Sequence, residues 1–235
     1  MKRNLKRKVI IDSDFGIDDC AMLLLALTDE RLDVKLLSTV SGNTNIDIGT
    51  NNMLHLLEKL HIYNIPVVKG YAKPLHREPK RATFMHTETG MGGYIPKPPE
   101  KLKVLDYDAI EKMYEVIKEN PNEITILAIG PLTNIAALIL KHPDVIKLVK
   151  EIIFMGGNPW GNSVMPFYDS FNASSDPEAL DIVVKCGIKN TMAASFMGRC
   201  KCHLSAADVF ELRAMNKIGE FMYEMYTTYW EPNFP

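Results

Sequence analysis

Four aspartates fall within eight positions near the start of the chain, in the stretch VIIDSDFGIDDCAMLLLAL at residues 9–27. Asp12 and Asp14 follow an apolar run that is typical of a buried strand, and Asp18 and Asp19 open a second apolar run that is typical of a buried helix. Two unit charges about 4 Å apart repel by roughly 4 kcal/mol at an effective dielectric constant near 20. Ionised acids this close therefore need either a proton or a cation between them.

Several kinds of chemistry fit this cluster. The sequence has no Lys or Arg between residues 9 and 30, and Ca²⁺ and Mg²⁺ are the ions that prefer carboxylate and carbonyl oxygens. Alternatively, Asp18 and Asp19 only cap the helix and interact with its positive end, for which one acid would suffice. A strand-end Asp-x-Asp is also typical of phosphatases of the dehalogenase type, although those usually continue with Gly-Thr and this chain continues with Phe15-Gly16-Ile17.

Composition limits the class of protein. With 235 residues, 46% of them hydrophobic, and no low-complexity linker, we expect residues 1–235 to form a single domain. A net charge of −2 and a pI near 6.3 favour neither nucleic acid nor an anionic membrane as a partner. The first apolar run is broken by Asp12, so it is neither a signal segment nor a membrane span.

Cysteine usage is typical of a reducing compartment, and we expect a cytoplasmic protein. The four cysteines are too few and too scattered for a disulfide scaffold; they are Cys20, Cys186, Cys200 and Cys202. The segment CKCH at 200–203 lacks a second ligand pair at zinc-finger spacing, which favours ordinary thiols over a metal site.

Apolar runs and helical periodicity alternate along the chain. The sequence predicts strands and helices in turn: strands at 8–12, 33–40, 65–69, 123–129, 151–155 and 188–194, and helices at 17–28, 46–60, 107–119, 132–141, 177–186 and 205–229. Strands that are apolar throughout and alternate with helices indicate a mostly parallel sheet. The predicted fold class is therefore α/β, a Rossmann-like central sheet with helices on both faces.

Ligands of such sheets bind at the carboxyl ends of the strands. The segments that follow the predicted strands are rich in glycine, carboxylate and amide side chains, as in Ser41-Gly42-Asn43 and Gly156-Gly157-Asn158. Asn43 is compatible with either of two roles, as a residue of a ligand-binding site or as a turn residue that tolerates left-handed φ. We expect Asn134 to cap the helix that begins near it rather than to contact a substrate.

The segment DSDFGIDD resembles the DxDPGxDD signature of the nucleoside hydrolases of the inosine–uridine-preferring type. Similar segments follow in the family's order: TVSGN at 39–43, HTETGMGG at 86–93, ILAIGPLTNIA at 126–136, MGG at 155–157 and FNASSDPEA at 171–179. The resemblance covers residues 8 to about 195 and implies the nucleoside hydrolase fold. It also implies hydrolysis of the N-glycosidic bond of a ribonucleoside to ribose and a free base, and commonly a homodimer or homotetramer.

By this resemblance Asp14 is both a Ca²⁺ ligand and the general base that takes a proton from water. Asp19 and the carbonyl oxygen of Ile129 are further Ca²⁺ ligands, and Asp12 orients its neighbours. The residues implied to bind or line the substrate pocket are Asp18, Asn43, His86, Met155, Asn162 and Asn172. His86 lies in a long loop between residues 70 and 106 that suits a mobile lid, although a loop histidine is also often merely exposed.

Three features depart from the family pattern. Phe15 stands where the family has Pro, and Ser170 stands where it commonly has a Glu that binds the 5′-hydroxyl. The chain ends at TYWEPNFP and offers no late His-Asp pair, which in the family completes the metal shell and protonates the leaving base. We therefore expect C-terminal shortening and impaired hydrolysis; the alternative is a non-catalytic nucleoside- or ribose-binding homologue, or an inactive fragment.

Overall fold

A computed structural model describes residues 6–157, 170–193 and 204–227. Within them, six parallel strands form one sheet in the order β3-β2-β1-β4-β5-β6. The strands are β1 (Arg7–Ser13), β2 (Leu32–Thr39), β3 (Val67–Lys69), β4 (Thr125–Ala128), β5 (Glu151–Met155) and β6 (Asn190–Ala193). The predicted parallel α/β sheet is confirmed.

The helices follow the predicted alternation. They are α1 (Ile17–Thr28), α2 (Ile46–Lys59), α3 (Thr83–His86), α4 (Ala109–Glu119), α5 (Thr133–Lys141), α6 (Phe171–Ser175), α7 (Pro177–Lys185), α8 (Ala206–Met215) and α9 (Lys217–Tyr226), with a 3₁₀ turn at Pro143–Lys147. The prediction missed α3, α6 and the 3₁₀ turn, which are too short to show a period. None of the described helices is long and apolar enough to cross a membrane.

The central strand β1 divides its side chains between two hydrophobic cores. Ile10 packs into the core that contains α4, α5 and α7. Val9 and Ile11 pack into the core that contains α1, α2 and α9. This alternation is what a strand with helices on both faces requires, because successive side chains point to opposite faces.

The predicted single helix at 205–229 is wrong in its continuity. Asn216 has φ −171° and ψ 179°, which is extended backbone, and its side chain accepts from the N–H groups of Ile218 and Gly219. A Cβ built on Gly219 would lie 1.8 Å from the carbonyl oxygen of Leu212. The chain therefore stops α8, caps α9 and folds it closely against α8, an arrangement that a continuing helical period conceals.

The strand order reverses between β1 and β4, where neighbouring strands lead away to opposite sides of the sheet. Asp12 of β1 pairs in register with Ala128 of β4, so the segments after these two strands leave the sheet side by side. Ligands of open α/β sheets bind at this kind of switch point.

Candidate active site

The aspartate cluster lies at the carboxyl ends of β1 and β4. Asp12, Asp14 and Asp19 are fully buried or nearly so, whereas the Asp18 side chain is 54% exposed. In the described part of the chain, none of these four carboxylates pairs with Lys or Arg; their only ion-pair contact is between Asp18 and His86. Three carboxyl groups are thus removed from water without a cationic side chain to compensate them.

Asp14 is the least satisfied of these acids. Its Oδ2 accepts from the backbone N–H of Asn43 at 2.8 Å, while its buried Oδ1 has no hydrogen-bond partner. A Cβ on Gly42 would lie 2.0 Å from Asp14 Oδ2, and one on Gly130 would lie 3.1 Å from the Asp14 Cβ. The two glycines therefore let the loops after β2 and β4 close around this carboxylate.

Asp19 is held by three donors. Its Oδ1 accepts from the Ser13 hydroxyl at 2.8 Å, and its Oδ2 accepts from the Gly16 N–H at 2.8 Å and from Asn43 Nδ2 at 3.1 Å. Gly16 is the residue that caps α1, so Asp19 does satisfy a free donor of that helix. The capping interpretation explains Asp19, and it leaves Asp14 unexplained.

Asp12 belongs to a buried polar network behind the cluster. Its Oδ1 accepts from the Ser38 hydroxyl at 2.5 Å and from Asn134 Nδ2 at 2.8 Å, and its Oδ2 has no partner. Asn134 also donates to the Thr39 carbonyl at 3.0 Å and accepts from the Tyr71 N–H at 2.9 Å.

The expectation that Asn134 caps a helix is therefore wrong. Asn134 is the second residue of α5, not its N-cap, which is Leu132. The amide is fully buried, and its hydrogen bonds go to three segments that are far apart in sequence rather than to the end of its own helix.

Burial dominates the protonation of the cluster. It raises the pKa of Asp12 to about 7, partly opposed by the hydrogen bonds from Ser38 and Asn134. Burial, with the neighbouring Asp18 charge, also raises the pKa of Asp19 to about 7. The pKa of Asp14 is raised well above its usual value, first by burial and then by the charge on Asp19.

These residues fit a hard cation in their chemistry. The described residues contain no ready-made group of three or more His, Cys, Asp or Glu side chains around one point. However, the buried Asp14 Oδ1 is an unpartnered anionic oxygen, and such a group is costly unless an ion, a proton or a ligand meets it. Carboxylate oxygens with a nearby backbone carbonyl are the donors that Ca²⁺ and Mg²⁺ take.

The carbonyl of Ile129 faces an amide. Asn172 Nδ2 donates to this oxygen at 2.6 Å and approaches the Met155 sulfur at 3.3 Å. Asn172 thus lies beside two of the residues predicted with it, at the carboxyl ends of β4 and β5. Ser170 is close by, with its hydroxyl 3.4 Å from a Cβ on Gly156 and without a partner. Asn162 lies outside the described residues, as do Cys200 and Cys202.

His86 is brought against the start of α1. Its Nδ1 accepts from the Ile17 N–H at 3.2 Å, and its Nε2 lies 3.9 Å from Asp18 Oδ1. Because Nδ1 accepts and burial lowers the pKa of the imidazole, His86 is neutral with its proton on Nε2, facing Asp18. The alternative that this loop histidine is merely exposed is wrong, since the residue is 7% exposed.

The loop that carries His86 is anchored on both sides of the site. The Ala82 N–H donates to the Asn43 carbonyl at 3.1 Å, and Asn52 Nδ2 donates to the Thr89 carbonyl at 2.7 Å. A Cβ on Gly93 would lie 2.4 Å from Thr227 Oγ1, so the loop also packs directly against the end of α9.

Phe15 shapes the turn between β1 and α1. Its φ is +44°, and its side chain is fully buried. A proline ring holds φ near −65°, so this turn has a backbone that proline excludes. The departure from DxDPGxDD at this position therefore changes the local backbone while Asp14 and Asp19 stay on either side of it.

Sequence reasoning missed two contributors to the site. Ser13 donates to Asp19, and its place six residues ahead gives no capping-box spacing. Tyr226, from α9, lies near enough to Asp18 for the carboxylate charge to act on its phenol: burial first, and then that charge, raise the Tyr226 pKa to about 12. Nothing in the helical pattern near residue 226 distinguishes this tyrosine from a core residue.

Comparison with known proteins gives matches over most of the chain. The family model described as inosine-uridine preferring nucleoside hydrolase matches residues 9–233. The non-specific ribonucleoside hydrolase RihC of Salmonella typhimurium is 33% identical over 223 residues, which are 94% of this chain and 71% of the relative.

Solved structures show the same architecture. The plant nucleoside hydrolase PpNRh1 superposes with a TM-score of 0.85 at 34% identity, over 95% of this chain and 70% of that one. The purine-preferring ribonucleoside hydrolase from Gardnerella vaginalis superposes with a TM-score of 0.84 at 24% identity, over 94% of this chain and 71% of that one, and it supports the fold alone.

Proposed function

Because this chain belongs to the inosine-uridine preferring nucleoside hydrolase family, we propose that its acid cluster is the centre at which it hydrolyses ribonucleosides with the help of Ca²⁺. Members of the family hydrolyse ribonucleosides to ribose and a free base and use a metal cofactor, and this chain is such an enzyme. The assignment of roles to residues and of calcium as the metal is our proposal.

Asp14 acts as the general base. Its Oδ1, like Oδ2 of Asp12, is a buried carboxylate oxygen without a hydrogen-bond partner among the described residues, so it can accept a proton from a water molecule. Burial raises the pKa of this carboxyl group in the metal-free protein. A bound cation would favour the ionised carboxylate, which is the form that accepts a proton. In the reaction the water oxygen bonds to C1′ of the ribose and one water proton goes to Asp14. The electron pair of the broken C1′–N bond leaves with the base, which takes up a proton from solvent to become the free base.

Asp14, Asp19 and the Ile129 carbonyl would hold the Ca²⁺. When bound, the ion supplies positive charge that holds sugar hydroxyls and lowers the pKa of a bound water. Asp19 keeps one lone pair free on Oδ1 beside its bond from Ser13. The Ile129 carbonyl likewise keeps a second lone pair for the ion beside its hydrogen bond from Asn172.

The remaining predicted residues would hold the substrate. Asp18 is the exposed acid, so it can accept from a ribose hydroxyl, and His86 presents its Nε2 proton on the same side. Asn43, Met155, Asn162 and Asn172 complete the proposed pocket, with Asn43 already bonded to both Asp14 and Asp19.

The unpartnered Asp14 Oδ1 carries this proposal, and it is tested by following release of reducing sugar from inosine and uridine. We expect turnover with CaCl₂ and its loss in EDTA, and we expect Asp14→Asn to lower kcat at least 10²-fold because the base is removed. Asp47→Asn is the matched control: Asp47 is an exposed acid outside the cluster, paired with Lys69.

An Asp14→Asn variant with wild-type kcat would overturn the role of Asp14. Full activity in EDTA, or activity restored by Zn²⁺ but not by Ca²⁺, would overturn the assignment of calcium as the metal. Absence of turnover by the wild-type chain with either nucleoside, in the presence of Ca²⁺, would overturn this site as the hydrolytic centre.

We further propose a cytoplasmic homo-oligomer in which residues 1–235 form one domain. The free thiols of Cys20 and Cys186 support the compartment, and the oligomer rests on the resemblance to the family. Light scattering after size exclusion measures the mass, and a monomer at micromolar concentration would contradict the oligomer.

A further inference from the structure

Arg81 is a cation without a carboxylate partner at the edge of the site. Three other arginines each lie within 3.7 Å of an acid, Arg7 at Glu151, Arg31 at Asp29 and Arg77 at Glu178. In the described residues Arg81 bonds only to neutral oxygens, through Nη1 to the Ser41 hydroxyl at 2.8 Å and to the Lys80 carbonyl at 2.9 Å. Burial lowers the pKa of this guanidinium, as expected for a partly buried positive charge without a carboxylate beside it.

The position of Arg81 ties it to the acid cluster. Its hydrogen-bond acceptor Ser41 is followed by Gly42, which contacts Asp14 Oδ2, and by Asn43, which donates to the same oxygen. The next residue, Ala82, donates to the Asn43 carbonyl at 3.1 Å. Because the guanidinium bonds to Ser41, one residue before Gly42, and consecutive Cα atoms are about 3.8 Å apart, we place it at the rim of the site on the β2 side.

The free donors of Arg81 suit an oxyanion. A guanidinium has five N–H donors in a planar fork, and here Nε and Nη2 have no acceptor among the described residues. Such a fork binds phosphate or carboxylate through two parallel hydrogen bonds. The acids of the site can accept hydrogen bonds from sugar hydroxyls. Arg81, on the rim, offers donors for a negative charge, which a neutral nucleoside lacks.

We propose that Arg81 binds an oxyanion carried by the substrate, so that the enzyme acts on anionic ribonucleosides, with a phosphate on the sugar or a carboxylate on the base. This inference rests on the proposed function, because it takes the acid cluster as the sugar site. Arg81 is then a specificity-determining residue on the rim, separate from the groups that break the glycosidic bond.

The test compares kcat/KM for uridine, uridine 5′-monophosphate and orotidine in the wild type, Arg81→Ala, Arg81→Lys and Lys80→Ala. Hydrogen bonds to charged groups correspond to roughly tenfold to a hundredfold in affinity. We therefore expect Arg81→Ala to lower the ratio of anionic to neutral kcat/KM by about that factor, Arg81→Lys to restore part of it, and Lys80→Ala, at a neighbouring exposed cation, to leave it as in the wild type.

A lower ratio for the monophosphate alone assigns the phosphate, and a lower ratio for orotidine alone assigns the carboxylate. Ratios that are unchanged in Arg81→Ala for both compounds overturn the proposal, as does an equal fall in Lys80→Ala, which would indicate only general charge. The melting temperature of each variant is measured as a control for correct folding.

Binding separates this inference from the proposed function. In the Asp14→Asn background, calorimetric titration with uridine and with uridine 5′-monophosphate or orotidine measures affinity without turnover. Tighter binding of the anionic compound that disappears with Arg81→Ala supports Arg81 even if no substrate is hydrolysed by the wild type. Equal affinities with and without Arg81 overturn it even if hydrolysis is observed.

Discussion

Replacing Asp14 by Asn should stabilise the metal-free protein, although the change removes the proposed base. Asn43 bonds to Asp14 through its backbone N–H at 2.8 Å and to Asp19 through Nδ2 at 3.1 Å, so two carboxylates share one asparagine. At a separation of roughly 6 Å and an effective dielectric constant of 20, two unit charges repel by about 3 kcal/mol. The amide keeps the shape of the side chain and its acceptor for Asn43, and it removes one of the charges.

The expected gain in unfolding free energy of Asp14→Asn in EDTA at pH 8.5 is therefore about 2–3 kcal/mol. For a protein of this size 1 kcal/mol shifts Tm by roughly 2–4 °C, so Tm should rise by about 4–12 °C. With saturating CaCl₂ the order should reverse, because ligand that binds the folded state stabilises it by mass action and the variant has lost a ligand.

Thermal unfolding followed by circular dichroism, at pH 5 and pH 8.5 and with EDTA or CaCl₂, measures these differences. The gain should be small at pH 5, where the raised pKa values leave the buried acids largely protonated, and it should grow with pH. Asp47→Asn should stay close to the wild type under all four conditions. An Asp14→Asn protein that is equally or less stable than the wild type in EDTA at pH 8.5 would refute the electrostatic reasoning.

Three further changes test the network around this carboxylate. The folded-state pKa of Asp12 is raised from 3.8 to about 7. The stability that Asp12 contributes to the metal-free protein is therefore present below pH 3.8 and lost as pH rises through about 7. Chemical denaturation in EDTA should give a lower unfolding free energy at pH 8 than at pH 5, and a higher value at pH 8 would contradict the shift. Asn134→Ala should lower the unfolding free energy measured in urea by about 3 kcal/mol, since it breaks two buried hydrogen bonds and one part-buried hydrogen bond. A loss under about 1 kcal/mol would show that these bonds are dispensable. Gly42→Ala should greatly reduce nucleoside turnover, because the added Cβ would lie 2.0 Å from Asp14 Oδ2. Gly49→Ala is the control and should leave turnover unchanged, because its Cβ would make only ordinary contacts at 3.6 Å. Equal turnover in the two variants would refute the close packing at Gly42.

The sheet and its helices were predictable from local signals. The helix at 17–28 and the strand at 151–155 have the predicted bounds, because each combines an apolar run with polar residues at its ends. The failure at 205–229 has the opposite cause. Apolar residues continue with a helical period across Asn216, so the pattern hides a break that depends on one cap and on close packing at Gly219.

The acid cluster was predictable in its members and not in its hydrogen bonds. Parallel strands end at one edge, so the segments after β1 and β2 had to bring Asp14 and Asn43 together. Asn134 was misjudged because its position near a helix start is a local signal, whereas its partners Asp12, Thr39 and Tyr71 come from three separate segments. Local propensity carries no information about such distant partners.

The contrast between Asp19 and Asp14 favours ligand binding over capping alone as the reason for Asp14. Asp19 receives three hydrogen bonds from Ser13, Gly16 and Asn43, and a capped helix needs no more. Capping gives no reason to bury a second carboxylate beside the first and to leave one of its oxygens unpartnered. Because an unpartnered buried charge is unfavourable, a fold that closes Gly42 and Gly130 around Asp14 makes sense if another molecule meets Oδ1 when the protein works.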